Sequence, residues 1–398
     1  MPRRQKPSGE HMRKLSTILV ASIAAIMATA ATARPVNFAV YGDAPYGTSP
    51  ADKAQVALTP AFVSAVNADS AVSLVLHVGD IHSGKEYCTV NYDTTVYDLW
   101  TAYTKPLVYT PGDNEWTDCH KKKEGGGAYN ATTGVIDYVV DALGNPVDYA
   151  SGNPVSNLDL VRSLFFSNPG HTLGADSKVV SQRTHYDRRF AGDAAFVENV
   201  YFMRNDVLVV AVNVPGGSNN DQDVWYGAPT MSAQQAAEIA VRTGATTRWL
   251  DKAFKVAQSE GAKAVIIMTQ ADMWDLDGNT AGHLTGYEPI IASIASNVAA
   301  FAKPVLLFNG DSHLFRSDNP LVQGAPCVSE ATSGAAVTAC ASDDWLNHPS
   351  YNVPNFHRVV VHGSTAPLEY LRLTIDTERK NGATDSSFGP FSWVRVNP

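Results

Sequence analysis

Short apolar runs rich in β-branched residues alternate with amphipathic stretches in the first third of the chain. The runs Val36–Tyr41, 72–78 and 106–110 predict buried strands. The stretches 52–67 and 93–103 between them have the spacing of helices. Strand, helix and strand in this order are typical of parallel βαβ units. His77 lies inside the second apolar run, and we interpret it as a packed core residue.

The same alternation continues to the C-terminal end. We predict further strands at 195–203, 207–214, 264–269 and 305–308, and helices at 233–258 and 287–301. The tail has the pattern of antiparallel strands at 357–362, 369–375 and 391–396. Residues 119–157 are rich in Gly, Asn and Asp and predict a long inserted loop.

The first 33 residues differ from the rest of the chain. Arg13 and Lys14 precede an apolar run at 15–27, and an Ala-Thr-Ala sequence ends at Ala33. This order predicts a secretory signal peptide, residues 1–33, that is cleaved after Ala33. A membrane anchor is the alternative, but the run is too short and too rich in Ala and Thr to cross ~30 Å of hydrocarbon. We therefore expect a secreted or periplasmic protein that does not contact the membrane after cleavage.

The chain is acidic and has the composition of a globular protein. Hydrophobic residues make up 44% and charged residues 17% of its 398 residues, and the formal net charge is −9. Loss of residues 1–33 would remove five basic residues and one acidic residue, which leaves a net charge of −13. Such a surface repels nucleic acids and anionic membranes, so we expect neither as a partner. An anionic substrate would need a local positive charge, which a bound metal ion supplies.

Four cysteines are expected to pair in an oxidising compartment. We favour Cys88–Cys119, because each follows a predicted strand that ends in a Gly-Asp turn, and Cys327–Cys340, which bracket a short Gly/Ala/Ser/Thr stretch. Zinc binding is the weaker alternative, since the chain has no Cys-x-x-Cys spacing.

Polar side chains follow five of the predicted strands. Ligands of open α/β sheets bind just outside the carboxyl ends of the strands. Several carboxylates at one such edge would repel one another unless divalent ions joined them, and such ions are the basis of hydrolytic metal sites. The residues in question are Asp43, Asp80, Asp113, Gln270, Asp311 and His313.

The order of these motifs resembles the calcineurin-like metallophosphoesterase superfamily, which includes purple acid phosphatases and cyclic-nucleotide phosphodiesterases. The chain has Gly-Asp at 42–43 and 79–80, Gly-Asp-Asn-Glu at 112–115 and Gly-Asp-Ser-His at 310–313. The resemblance implies an α/β fold, a two-sheet β-sandwich flanked by helices, in one domain over 34–398. It also implies an enzyme that hydrolyses small-molecule phosphate mono- or diesters through a hydroxide bound to two metal ions.

Only some of the family's site residues have a matching residue in this chain. Asp43, Asp80 and His313 match a first ligand, the carboxylate that bridges two ions and a late His ligand. Asp113, Gln270 and Asp311 replace family ligands of other types, and Pro45 replaces a ligand that it cannot imitate. We expect Asp80 to bridge two ions, with Asp43 and His313 completing one site and Asp113, Gln270 and Asp311 completing the other.

The replacements change the expected chemistry. Exchange of imidazoles for oxygen ligands favours manganese or magnesium over zinc or iron. Asn114 stands where the family has a catalytic His, and we assign it to transition-state stabilisation. His82 and His283 are the remaining candidates for the acid that protonates the leaving group.

Two other functions remain open at this stage. The lost imidazoles are also consistent with a catalytically degenerate member that binds a ligand or partner. A carbohydrate-active enzyme with an Asp/Glu pair is a third possibility, although no spacing specifies one. Tyr46, Trp116, Trp225 and Trp274 are candidates for lining a cleft, but most such aromatic residues serve packing.

Overall fold

Two large β-sheets dominate the computed structural model, which describes residues 34–275, 285–340 and 351–398. The predicted signal peptide therefore lies outside the described residues. The strands, in chain order, are β1 Val36–Tyr41, β2 Val72–His77, β3 Pro106–Tyr109, β4 Gly127–Asn130, β5 Val135–Tyr138, β6 Leu173–Gly174, β7 Val180–Ser181, β8 Val200–Arg204, β9 Val207–Ala211, β10 Ala264–Met268, β11 Val305–Asn309, β12 Arg316–Asp318, β13 Val328–Glu330, β14 Val337–Ala339, β15 Phe356–Val360, β16 Tyr370–Ile375, β17 Asn381–Thr384, β18 Ser387–Gly389 and β19 Phe391–Val396.

Helices lie between many of these strands. The longer ones are α1 Ala54–Ala68, α2 Val90–Trp100, α3 Pro154–Phe165, α4 Ala233–Ser259 and α5 Glu288–Phe301. Short helical turns occupy Gln182–His185 and Gly216–Asn220. Single 3₁₀ turns lie at Asp118–His120, Lys122–Glu124, Tyr149–Gly152, Ala191–Ala195, Trp225–Gly227 and Thr285–Tyr287.

Each large sheet has a parallel centre with antiparallel strands beside it. Across the described residues, the first sheet has the order β17-β18-β19-β16-β1-β2-β3-β6 and the second β14-β13-β12-β15-β11-β10-β9-β8-β7. β1, β2 and β3 are parallel, as are β9, β10, β11 and β15. Parallel strands end at the same edge of a sheet, so the residues that follow them are brought together.

The sheets pack face to face, with helices on their outer surfaces. Alternation along β1 sends Phe38 and Val40 into the core between the sheets and Ala39 and Tyr41 toward α1 and α2. The second sheet packs its other face on α4 and α5. The fold is therefore an α/β two-sheet sandwich flanked by helices, which confirms the predicted fold class.

Local capping explains where two helices begin. The Thr89 side chain accepts a hydrogen bond from the Tyr92 N–H (3.1 Å), so α2 begins earlier than the predicted residue 93. The Ser232 hydroxyl accepts one from the Gln235 N–H (3.1 Å) and sets the predicted start of α4.

Two predictions need correction. Residues 119–157 contain the hairpin of β4 and β5 and the first turn of α3, because Asn153 caps that helix and Pro154 begins it. The first tail strand, β15, is antiparallel to β12 but parallel to β11. Its apolar residues are buried in the second sheet, whereas the other two tail strands pair antiparallel in the first sheet.

The cysteines pair as predicted, Cys88 with Cys119 and Cys327 with Cys340. The thiolates are therefore not available as zinc ligands. His77 is fully buried among Tyr41, Trp100 and Tyr109, as expected of a packed core residue. No helix among the described residues has the length and apolar character needed to cross a bilayer.

Candidate metal centre

The candidate site lies at the carboxyl ends of the parallel strands of both sheets. Asp43 follows β1 and Asp80 follows β2, while Asp311 and His313 follow β11 of the second sheet. The Asp311 N–H donates a hydrogen bond to Asp43 Oδ1 (2.9 Å), which joins the two sheets at this edge. Asp113, beyond β3, completes the group of acids.

The side chains form two groups that share one member. Ligand atoms of Asp43, Asp80 and His313 lie within 4.8 Å of one another, and so do those of Asp80, Asp113 and Asp311. One carboxylate common to two groups can hold two cations side by side. Asp80 belongs to both groups, and the predicted roles of these residues as ligands stay predictions.

Asp80 is held by donors on two sides. It is buried, and its Oδ2 accepts hydrogen bonds from the Tyr46 hydroxyl (2.8 Å) and from Gln270 Nε2 (3.2 Å). Its Oδ1 lies 3.4 Å from the Asn114 N–H. These donors fix the orientation of the carboxylate, as surrounding hydrogen bonds commonly do for metal ligands.

Gln270 presents its nitrogen, and not its oxygen, to the acids. Its Oε1 accepts a hydrogen bond from the Gly216 N–H (2.8 Å), while Nε2 donates to Asp80 and to Asp113 Oδ1 (3.0 Å). An NH₂ group has no free lone pair for a cation. In this orientation Gln270 orients two carboxylates, and its role as a metal ligand stays a prediction.

The backbone of the site is in an uncommon conformation. Asp43, Asp80, Asp311 and His313 all have positive φ angles, between 49° and 78°. Non-glycine residues seldom adopt this region, and such residues concentrate at functional sites. These turns direct the four side chains into the site at the carboxyl ends of the strands.

Two glycines permit the close approach of the acids. A Cβ atom on Gly112 would lie 1.9 Å from Asp80 Oδ1, and one on Gly216 would lie 2.2 Å from Asp113 Oδ2 and 2.9 Å from Asp311 Oδ1. Any side chain at either position would displace a carboxylate of the site.

Burial and mutual repulsion disfavour the ionised forms of these acids. Burial raises the pKa of Asp80 well above its ordinary value, and the charge of Asp113 raises it further. Burial, with repulsion from Asp118, raises the pKa of Asp113 to about 8. Burial also raises the pKa of Asp43, although His313 opposes that shift. Divalent cations would reverse this penalty.

A buried carboxylate oxygen gives a second reason, besides the pKa shifts, to expect divalent cations at this site. Asp43 Oδ2 is buried and has no hydrogen-bond donor among the described residues. A buried carboxylate oxygen without a donor is costly unless a cation pairs with it. Four carboxylates and one imidazole are donors that suit divalent cations.

An open pocket of about 380 Å³ gives access to the acids. Asp80, Asp113, Asp311 and His313 line its floor, and Asn114 lines it beside them. The Asn114 Nδ2 donates to the Tyr46 hydroxyl (3.1 Å), and Tyr46 Oη lies 3.2 Å from His313 Nε2. The pocket therefore has polar groups from both sheets around one space.

His82, one of the two histidines considered as proton donors, does not line this pocket. His82 is fully buried, with Nδ1 3.2 Å from the Ser83 carbonyl oxygen and its ring against Tyr92. Burial lowers the pKa of His82, which leaves it neutral. We therefore correct its interpretation to a buried residue behind the site. His283 lies outside the described residues.

Three pocket residues are not among the predicted ligands or catalytic residues. Tyr46 contacts Asp80, Asn114 and His313, although an aromatic residue by itself indicates only packing. Lys85 and Lys123 also line the pocket. Neither belongs to a strand-end motif, so no local pattern distinguishes these lysines from other surface lysines.

The fold and the site together define an α/β two-sheet protein with a carboxylate-rich candidate metal centre. A purple acid phosphatase PPD1 from yellow lupin (Lupinus luteus) seeds is a solved structure similar to this chain, with a TM-score of 0.39 and 12% sequence identity. The match covers 86% of this chain, which spans about half (50%) of the lupin chain. No protein-family model and no curated protein sequence matches the chain.

Proposed function

We propose that the protein is an exported, metal-dependent phosphoesterase. The observation that carries the proposal is the pair of side-chain groups that share Asp80 at the floor of an open pocket. Two adjacent divalent ions polarise a phosphoryl oxygen and lower the pKa of bound water. The buried Asp43 Oδ2, which has no hydrogen-bond donor among the described residues, and the four clustered acids support cation binding at this place.

Each residue of the site has a proposed role. Asp80 serves both ions, Asp43 and His313 complete one site, and Asp113 and Asp311 the other. Gln270 orients Asp80 and Asp113 through its NH₂ group. Burial and the charge of Asp80 raise the pKa of Tyr46, so its hydroxyl stays protonated and continues to donate to Asp80.

Asn114 is the proposed stabiliser of the transition state. It lines the pocket beside Asp80 and Asp113, and its side-chain NH₂ can donate a second hydrogen bond to a phosphoryl oxygen. An amide cannot protonate a leaving group, and His82 does not reach the pocket. His283, the other candidate acid, lies outside the described residues. General acids typically contribute 10²–10⁴-fold, so the enzyme should prefer activated aryl esters over alkyl esters unless His283 supplies the proton.

The decisive experiment measures metal content and turnover together. After chelation, manganese or magnesium should restore hydrolysis of 4-nitrophenyl phosphate or bis(4-nitrophenyl) phosphate more than zinc does. Asp80→Ala should abolish both turnover and stoichiometric metal binding, because both groups lose their common carboxylate. Asp69→Asn is the matched control. It removes a carboxylate that lies away from the pocket and forms an ion pair with Arg372 (2.6 Å).

Two results would overturn the proposal in different ways. Unchanged metal content in Asp80→Ala by elemental analysis would refute the assigned centre. Metal binding without hydrolysis of any mono- or diester would refute the enzyme and leave the ligand-binding alternative as the better proposal.

A further inference from the structure

The pocket carries positive charge opposite its acidic floor. Lys85 and Lys123 are both exposed and line the same space as Asp80, Asp113 and His313. The chain as a whole has a formal net charge of −9, so two lysines at one pocket are opposite in sign to the average surface. Cations at a pocket rim attract anionic groups of a ligand.

Lys123 is placed at the pocket by its surroundings. Its Nζ lies 3.5 Å from Glu124 Oε1, a fully buried carboxylate with no hydrogen-bond partner among the described residues. A Cβ on Gly84 would lie 3.1 Å from Lys123 Nζ, Glu124 Oε1 and Asn114 Oδ1 alike. Because Gly84 has no side chain, these three polar groups meet at the pocket wall.

Neighbouring lysines differ from Lys123. Lys121 forms ion pairs with Asp118 (2.6 Å) and Asp223 (2.7 Å), so its charge is already paired within the protein. Lys122 is exposed and does not line the pocket. Burial raises the pKa of Glu124 well above its ordinary value, which weakens its competition for the Lys123 ammonium.

We propose that Lys123, together with Lys85, binds a second anionic group of the substrate. The preferred substrates would then be phosphate esters whose alcohol portion carries a carboxylate or another phosphate. The inference rests on the proposed function, which places the reacting phosphate over Asp80 and Asp113. A pocket of about 380 Å³ has room for such a dianionic ligand.

The test uses phosphonates, which bind but are not hydrolysed. Calorimetry of the full protein with manganese compares phenylphosphonate with 3- and 4-carboxyphenylphosphonate. We expect at least one carboxylated probe to bind more tightly than phenylphosphonate. Lys123→Gln should reduce this preference roughly three- to tenfold, the range for an exposed charge-assisted contact, and leave phenylphosphonate affinity unchanged. Lys123→Arg should retain most of the preference.

Lys122→Gln is the matched control, because it removes the same charge one residue away from the pocket lining. An equal preference in the wild type and Lys123→Gln would overturn the inference while leaving the phosphoesterase intact. Equal weakening of all probes would also overturn it, since the lysine would then act on the site as a whole. If no phosphonate binds with metal present, the phosphate site itself is wrong and the inference falls with it.

Discussion

Single buried acids in this protein have different consequences depending on what faces them. Asp80 and Asp113 face each other and other acids, so a cation can compensate the burial of all of them. Asp148 is also buried, 4% exposed, but lies in neither group of candidate ligands. Burial raises the pKa of Asp148 from its ordinary value of 3.8 to about 9. The folded protein must therefore keep Asp148 protonated at neutral pH, and this costs stability.

Asp148→Asn should stabilise the protein at neutral and mildly alkaline pH. The unfolded chain loses the Asp148 proton near pH 3.8, whereas the folded chain keeps it until about pH 9. The unfolded state therefore binds fewer protons in this window, and the free energy of unfolding falls as pH rises through it. Asn imitates the protonated acid and removes this loss.

The gain should be on the order of 1–3 kcal/mol at pH 8 and should vanish near pH 3.5. Urea unfolding of both proteins at the two pH values measures it. A gain of the same size at pH 3.5, or none at pH 8, would contradict the assignment. Asp159→Asn, which removes an exposed carboxylate, is the control.

One short element connects a distant helix to the candidate site. Gly217, Ser218, Asn219 and Asn220 have consecutive positive φ angles of 56–65°, and the last three are buried. Left-handed non-glycine residues cost roughly 1–2 kcal/mol each, so other contacts must hold this turn. Arg242 of α4 donates to both the side chain and the carbonyl oxygen of Asn219.

The turn then continues to the acids. Gly216 begins it and donates its N–H to Gln270, which in turn donates to Asp80 and Asp113. Arg242 is thus a positioning residue, linked to two candidate ligands through hydrogen bonds and not through direct contact. Loss of its anchor should loosen the turn and with it Gln270.

Arg242→Gln should weaken metal binding roughly 10–100-fold, the usual effect of changing groups that orient ligands. Chelator competition with manganese measures the affinity, and a melting curve separates it from general destabilisation. Arg248→Gln is the matched control, because it removes an ion pair of the same helix, to Asp193 (2.6 Å), that does not lead to the site. Equal metal affinities of the two variants would contradict the role of Arg242.

At the scale of the whole molecule, two disulfides and two sheets hold the pocket. Cys88–Cys119 joins the segment after β2 to the one after β3, and each segment contributes pocket residues, Lys85 and Asn114 among them. Cys327–Cys340 joins the two ends of the β13–β14 hairpin of the second sheet. Bridges of this kind persist in oxidising compartments, which agrees with the proposed export.

The mature protein should therefore begin at Arg34 and contain no free thiol. Intact mass of material recovered from the periplasm or medium should show the loss of residues 1–33 and four hydrogens fewer than the fully reduced chain. The same sample after reduction and alkylation provides the control. An unprocessed N-terminus would refute the signal peptide, and four titratable thiols would refute the bridges.

The central elements could be predicted from the chain alone, because their signals are local. Short apolar runs rich in β-branched residues mark β1 and β9, and a 3.6-residue period marks α4. Gly-Asp turns mark the strand ends that carry Asp43, Asp80 and Asp311. The pairing of Cys88 with Cys119 followed from the position of each beyond a strand, and that of Cys327 with Cys340 from the short stretch that they bracket. Short strands such as β6 and β7 carry only two residues each and leave no periodic pattern to detect.

Contacts between distant segments were decided only by the tertiary structure. The orientation of Gln270 depends on the Gly216 N–H, 54 residues away, and the position of Lys123 depends on Gly84 and the buried Glu124. His82 stands two residues after Asp80, yet packing against Tyr92 turns it away from the pocket. The sequence by itself determined which residues end each strand, because turn geometry is local. Only the packing of the two sheets decided which of them face one another, because that depends on burial and hydrogen bonds across the whole chain.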